Sequence, residues 1–153
     1  MKKLLAFLLC LVMVTGMATA AFALDKEEYT GILLKDIKVE DLITSNDTIA
    51  LGAATALLDY MLVTERSNLL EDLDFTGTVL IRNWGSFLDY YYPSKKTPGK
   101  YLNIFVNPKT ASNTHYGDAS TFTNSGEYEK PLFQVTMADM LVQLQALVNK
   151  LKN

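Results

Sequence analysis

The hydrophobic pattern changes period near Thr76, and that change organises the chain. Before it, Ala50, Ala54, Leu57, Leu58 and Met61 recur at the spacing of one helix face. The polar run TSND, residues 44–47, places helix-capping side chains just ahead of them. Gly52 and Ala53 would let such a helix lie close against a neighbour. The pattern lapses at Thr64-Glu65-Arg66-Ser67 and resumes with Leu69, Leu70 and Leu73. A break is expected there, with Ser67 capping a short second helix.

After Thr76 the period is two. TGTVLIRNW (76–84), SFLDYYY (86–92) and KYLNIFVN (100–107) are rich in β-branched and aromatic residues. Gly85 and the dipeptide Pro98-Gly99 mark the turns between them, and Pro93 and Pro108 stop two of the strands. A long polar tract follows (108–130), in which HYGDASTFT has the weak alternation of a further hairpin. PLFQV reads as a short strand. The helical period then returns as Met137, Met140, Leu141, Leu144, Leu147, Val148 and Leu151. Thr136 with Asp139 resembles a capping box, and Lys150 and Lys152 complement the helix dipole at the far end. Residues 24–43 fit a short strand through Ile32, Leu34, Ile37 and Val39, and a helix through Leu33 and Leu42, equally well. The order predicts an α+β fold: an N-terminal helix or helix pair, an antiparallel sheet of three to five strands and a C-terminal amphipathic helix, in a two-layer single domain.

The first residues change the accounting. Met1-Lys2-Lys3, an uncharged apolar run from Leu4 to Val14, and the small-residue motifs Ala18-Thr19-Ala20 and Ala21-Phe22-Ala23 have the layout of a secretory signal peptide. Cleavage is expected after Ala20 or Ala23, giving a leader over 1–23 and a domain over 24–153. The apolar run is short for a membrane span of about 20 residues, so a membrane contact is expected only through an uncleaved leader. Cys10 lies inside that run without the small residue that a lipoprotein site requires before it. Of the 14 basic residues Lys2 and Lys3 belong to the leader, so the remainder carries 12 against 17 acids, a net charge of −5. An acidic chain argues against nucleic acid as a partner. Without cysteine beyond the leader there is no disulfide, thiol nucleophile or thiolate metal site. Stability must come from a packed core, for which 130 residues suffice.

Strand alternation sorts the sheet into two faces. One holds Val79, Ile81, Leu88, Tyr90, Leu102, Ile104 and Val106 and is expected under the helices, with Tyr92 left unassigned. The other holds Leu80, Arg82, Trp84, Phe87, Asp89, Tyr91, Tyr101, Asn103 and Phe105. Its mixture of aromatics with Arg, Asp and Asn is that of a recognition surface. Trp84, Tyr91 and Tyr101 would supply stacking area, and Arg82, Asp89 and Asn103 would orient a peptide, protein or glycan. Two structural readings compete: another part of the chain covers this face as a second core, or the aromatics only stabilise the strands as cross-strand pairs.

The other candidates are weaker. His115, the single histidine, has Asp118 and Ser120 nearby, so a small secreted hydrolase using His115 with an acid such as Asp118 is the alternative. No G-x-S-x-G elbow or oxyanion turn accompanies them. One histidine serves zinc poorly, no calcium loop or phosphate-binding glycine loop is present, and no cofactor is expected. Glu71, Asp72 and Asp74 read as a solvated helix end. Asn46-Asp47-Thr48 is an N-glycosylation sequon that coincides with the helix cap. Lys95, Lys96 and Lys100 read as charges protecting a hairpin tip, with docking to an acidic surface as the functional version. A third possibility is a helper subunit of an envelope complex that packs through the C-terminal apolar stripe.

Overall fold

The computed structural model describes residues 38–64, 69–85, 87–106, 115–118 and 132–151. Residues 1–23 with Cys10, most of 24–43 and most of 108–130 lie outside these residues.

The first helix, α1, spans Asn46–Thr64. Ser45 is its cap: the Ile49 N–H donates to the Ser45 carbonyl at 2.9 Å. The Thr48 N–H donates to Ser45 Oγ at 3.3 Å and the Ser45 N–H to Thr48 Oγ1 at 2.8 Å, a reciprocal capping box with Thr in the Glu position. The same Thr48 hydroxyl thus accounts for the sequon without a glycan. The helix is described to Thr64 and Leu69–Asp72 forms a 3-10 turn, while the expected break with its Ser67 cap falls on 65–68, outside the described residues.

One expectation needs correcting here. The spacing of Ala50, Ala54, Leu57, Leu58 and Met61 suggested a single buried face, but every residue from 52 to 61 is buried, Thr55 and Asp59 included. The helix is enclosed because the sheet, the C-terminal helix and the 3-10 turn Val39–Leu42 all pack on it. A helix buried all round has no polar face to display. The Thr55 hydroxyl donates to the Leu51 carbonyl at 2.7 Å, which satisfies it inside the helix.

Five strands form one sheet: β1 Thr78–Asn83, β2 Leu88–Pro93, β3 Tyr101–Val106, β4 His115–Asp118 and β5 Leu132–Thr136. Their order is β4-β3-β2-β1-β5, and each neighbouring pair is antiparallel. β1 to β4 form a meander, whereas β5 lies at the opposite edge beside β1. The chain passes directly from β5 into α2, Met137–Leu151, where the Asp139 N–H donates to Thr136 Oγ1 at 3.0 Å. Its stripe of Met137, Met140, Leu144 and Val148 is buried in the same core as α1. That stripe is therefore not the free surface that a helper subunit would use.

The helix-side face is as alternation predicts. Val79, Ile81, Leu88, Tyr90, Leu102, Ile104 and Val106 are buried in one cluster with both helices. Full burial of each aliphatic side chain contributes about 1.5–3 kcal/mol. Tyr92 joins this face: its ring stacks on Tyr90 at 6.2 Å and its hydroxyl donates to the Ala53 carbonyl at 2.7 Å. Tyr90 Oη is buried with no hydrogen-bond partner among the described residues. It fits because α1 carries Gly52 opposite, where an added Cβ would stand 2.8 Å from that oxygen and 3.3 Å from Leu42 Cβ. Burial pushes the ionisation of both tyrosines well up, and for Tyr92 the charge on Tyr90 adds to it.

The β2–β3 turn has the geometry that Pro98-Gly99 implies. Lys100 N–H donates to the Thr97 carbonyl at 3.0 Å, and Gly99 takes φ of +82°, a left-handed conformation that glycine adopts without a Cβ clash. The lysine tip is tied to the 3-10 turn before β1. Lys96 forms an ion pair with Asp72, the Lys95 N–H donates to the Asp72 carbonyl at 2.7 Å, and the Asp74 N–H donates to the Pro93 carbonyl at 2.8 Å. Hydrogen bonds from the Thr76 hydroxyl and N–H lower the Asp74 pKa, and nearby Lys95 lowers it further. The lysines thus sit among local acids, which suits a protected hairpin tip more than a basic docking surface.

Candidate functional site

The register lines up two rows of residues on the face turned away from the helices. Leu132, Arg82, Asp89, Phe105 and His115 are successive cross-strand partners from β5 to β4. Gln134, Leu80, Tyr91, Asn103 and Gly117 form the second row. Trp84 and Phe87 extend the face past the strand ends at the β1–β2 turn. Two hydrogen bonds shape that turn. Trp84 N–H donates to the Phe87 carbonyl at 3.0 Å, and Gly85 N–H donates to Asn83 Oδ1 at 2.8 Å while Gly85 takes φ of +92°.

The six sequence-proposed ligand-binding residues divide into two groups. Arg82 is only 2% exposed and Tyr91 only 7%, so neither offers its side chain to a ligand in this conformation. Tyr91 packs with Leu80, Tyr101 and Leu132 in a small second cluster, and its ring meets Tyr101 edge to face at 6.4 Å. Arg82 is engaged where it lies, as a buried guanidinium must be. The reading of this face as a second core is therefore realised around Leu80, Arg82 and Tyr91.

Trp84, Asp89, Tyr101 and Asn103 are half-buried and keep part of their surface. Trp84 Nε1–H donates to Asp89 Oδ2 at 2.8 Å, a charge-assisted bond that fixes the indole plane. Asn103 Nδ2 makes long contacts of 3.4 Å to Asp89 Oδ1 and to the Tyr90 carbonyl. Beside this network the Trp84 and Phe87 rings stack with centroids 5.9 Å apart, and Phe87 meets Phe105 at 4.3 Å. Phe87 and Phe105 share the parity of Asp89 and Asn103, yet they did not stand out as binding residues. Aromatic alternation was the signal for them, and it was overshadowed by the polar residues between.

Arg82 and Asp89 face each other directly across β1 and β2. Sheet alternation also bears on the alternative centre. His115 is in register with Phe105 and Asp118 with Leu102, positions of opposite parity in one strand. Ser120 lies outside the described residues. Among the described residues no group of three His, Cys, Asp or Glu is placed to hold a metal ion, and no helix is long and apolar enough to cross a membrane.

No family model, no curated protein and no solved structure matches this chain.

Proposed function

We propose that this protein is an extracytoplasmic binding module without catalytic activity, exported by its leader, which holds a peptide, protein or glycan against the Trp84 end of the sheet. The carrying observation is the hydrogen-bonded set Trp84, Asp89 and Asn103 set against the rings of Trp84, Phe87 and Phe105 on the face away from the helices. Rigid aromatics lose little side-chain entropy on binding, and a fixed indole loses less still. Arg82 and Tyr91 support this surface from within, by filling the space beneath and beside it.

The test is residue-resolved: amide and indole NMR shifts are followed while peptides and oligosaccharides are added. Shifts concentrated on the Trp84 indole, Phe87, Asp89, Asn103 and Phe105 are expected. Saturable shifts confined to the outer surface of α2, or around the lysine tip, would place recognition elsewhere and end this reading.

A further inference from the structure

We infer that the open edge of β5 is an interaction surface and that its partner is a second copy of this chain, joined strand to strand about a two-fold axis at Gln134.

β5 lies at the end of the sheet order, and among the described residues β1 is its one strand partner. The backbone bonds show which of its groups face outward. Met137 N–H donates to the Gly77 carbonyl at 3.0 Å, one step beyond the Thr78–Thr136 pair of the β1–β5 register. Hydrogen-bonded and non-bonded pairs alternate along an antiparallel ladder, so Val135 and Phe133 turn their N–H and C=O groups to β1. The other side of β1 has the matching phase. Trp84 N–H donates to the Phe87 carbonyl at 3.0 Å, which turns the backbone groups of Arg82 and Leu80 to β2. Leu132, Gln134 and Thr136 therefore turn theirs to the open edge.

Sheet edges are commonly guarded by charge, by proline or by a bulge. Leu132–Thr136 carries no charge and no proline, and its register with β1 runs without interruption. The side chains of Gln134 and Thr136 are exposed. The edge strand at the far side, β4, carries Asp118.

The segment is also complementary to itself. An antiparallel copy centred on Gln134 sets that residue against the partner's Gln134, and each donates its N–H to the other's carbonyl. Leu132 then meets the partner's Thr136, whose N–H reaches the Leu132 carbonyl, while the Thr136 carbonyl opens α2 within its own copy. On the helix side Phe133, only partly buried within one copy, meets the partner's Val135, so apolar faces apolar. The axis keeps both helix layers on one side of a continuous sheet and closes at two copies. Any extended peptide could satisfy the backbone groups, and the match of Phe133 with Val135 is what favours a copy of this chain.

Sedimentation of the purified protein from about 10 μM to about 1 mM, the range suited to a small interface, should show a monomer–dimer equilibrium with no larger species. Gln134→Pro deletes the outward N–H and spares the bonds that Phe133 and Val135 make to β1. It removes one hydrogen bond per copy and should weaken the dimer roughly thirtyfold. Gln134→Glu and Gln134→Lys each set like charges across the axis, whereas an equal mixture sets opposite ones. The mixed dimer should form roughly tenfold more tightly than either variant alone. Misfolded chains would not rescue one another, so the mixture separates a lost edge from a lost fold. A protein that stays monomeric throughout overturns the inference. So does a dimer that Gln134→Pro leaves intact, or a mixture no tighter than its components.

Discussion

The two faces of the sheet are made from the same strands, by the same alternation, and they differ in how completely they are finished. On the helix side, Ile81, Leu88 and Ile104 are wholly enclosed, and aliphatic and aromatic side chains, Phe133 among them, fill the face among the described residues. On the other side, among the described residues, only Leu80, Arg82 and Tyr91 are buried, and the residues around them are partly exposed. Burial of this kind is what stability requires, because area removed from water is the dominant favourable term in folding. A half-buried set of aromatics with fixed polar partners contributes less to stability and keeps surface for something else. The lesson is that one sheet can divide its labour between faces, and adjacent residues report the division.

Ile104 and Phe105 are such neighbours, and they give the largest expected contrast. Ile104→Ala opens a cavity in the enclosed cluster and should cost about 3 kcal/mol. Phe105→Ala should cost less, about 2 kcal/mol, since Phe105 packs on Phe87 but is only partly buried. Urea unfolding of the two variants measures both. Equal losses would mean that the outer face is a second full core, which would remove the main support for a binding surface.

Alkaline titration probes the helix side alone. Tyr90 and Tyr92 have folded pKa values raised above the ordinary 10.0. The unfolded chain gives up those protons first, so stability is intact below pH 10 and falls as the pH rises beyond it. Each tyrosine should remove on the order of 1 kcal/mol per pH unit in that range. Chemical denaturation between pH 9 and 11 reads the slope. A flat profile would show that these hydroxyls reach solvent in the native state.

The same two residues make a finer distinction. Tyr92→Phe deletes the bond to the Ala53 carbonyl and should cost about 1 kcal/mol. Tyr90→Phe removes a buried hydroxyl that has no partner among the described residues and should be neutral or slightly stabilising. Gly52→Ala sets a gain in helix propensity of about 1 kcal/mol against a contact of 2.8 Å with the Tyr90 oxygen. If that oxygen is the obstacle, Gly52→Ala should be clearly better tolerated in the Tyr90→Phe background, and a double-mutant cycle measures the coupling.

How much of this was legible beforehand depends on the range of the interaction concerned. Strand parity placed Val79, Ile81, Leu88, Tyr90 and Ile104 on one face, because a period of two is a local property of the backbone. Capping at residues 44–47 and the Pro98-Gly99 turn were local in the same sense. The burial of α1 on every side from 52 to 61 was not legible, because such a helix shows its enclosure only when other elements close on it. The placement of β5 beside β1, across the sheet from β4, is also a long-range choice with no trace in the local pattern. Arg82 was misjudged for a related reason. Its parity put it on the outer face, but parity says which way a side chain leaves the strand and nothing about how deeply it is then covered.

Asn103 gives the smallest expected change in stability and the sharpest question about the two faces. Its hydrogen bonds, at 3.4 Å, are long and partly solvated, so each contributes little to folding. Asn103→Ala should therefore change the urea midpoint by less than about 0.5 kcal/mol, as for other substitutions away from a core. A residue on the enclosed face could not be truncated so cheaply: Leu102 and Ile104, its immediate neighbours in β3, are both buried. Asn103 is the position at which loss of ligand and loss of stability come apart most clearly. A loss of binding with the unfolding midpoint unchanged would assign this part of the outer face to recognition. A parallel loss of both would assign it to the scaffold, as a polar brace that holds Asp89, and through it the indole of Trp84, in place.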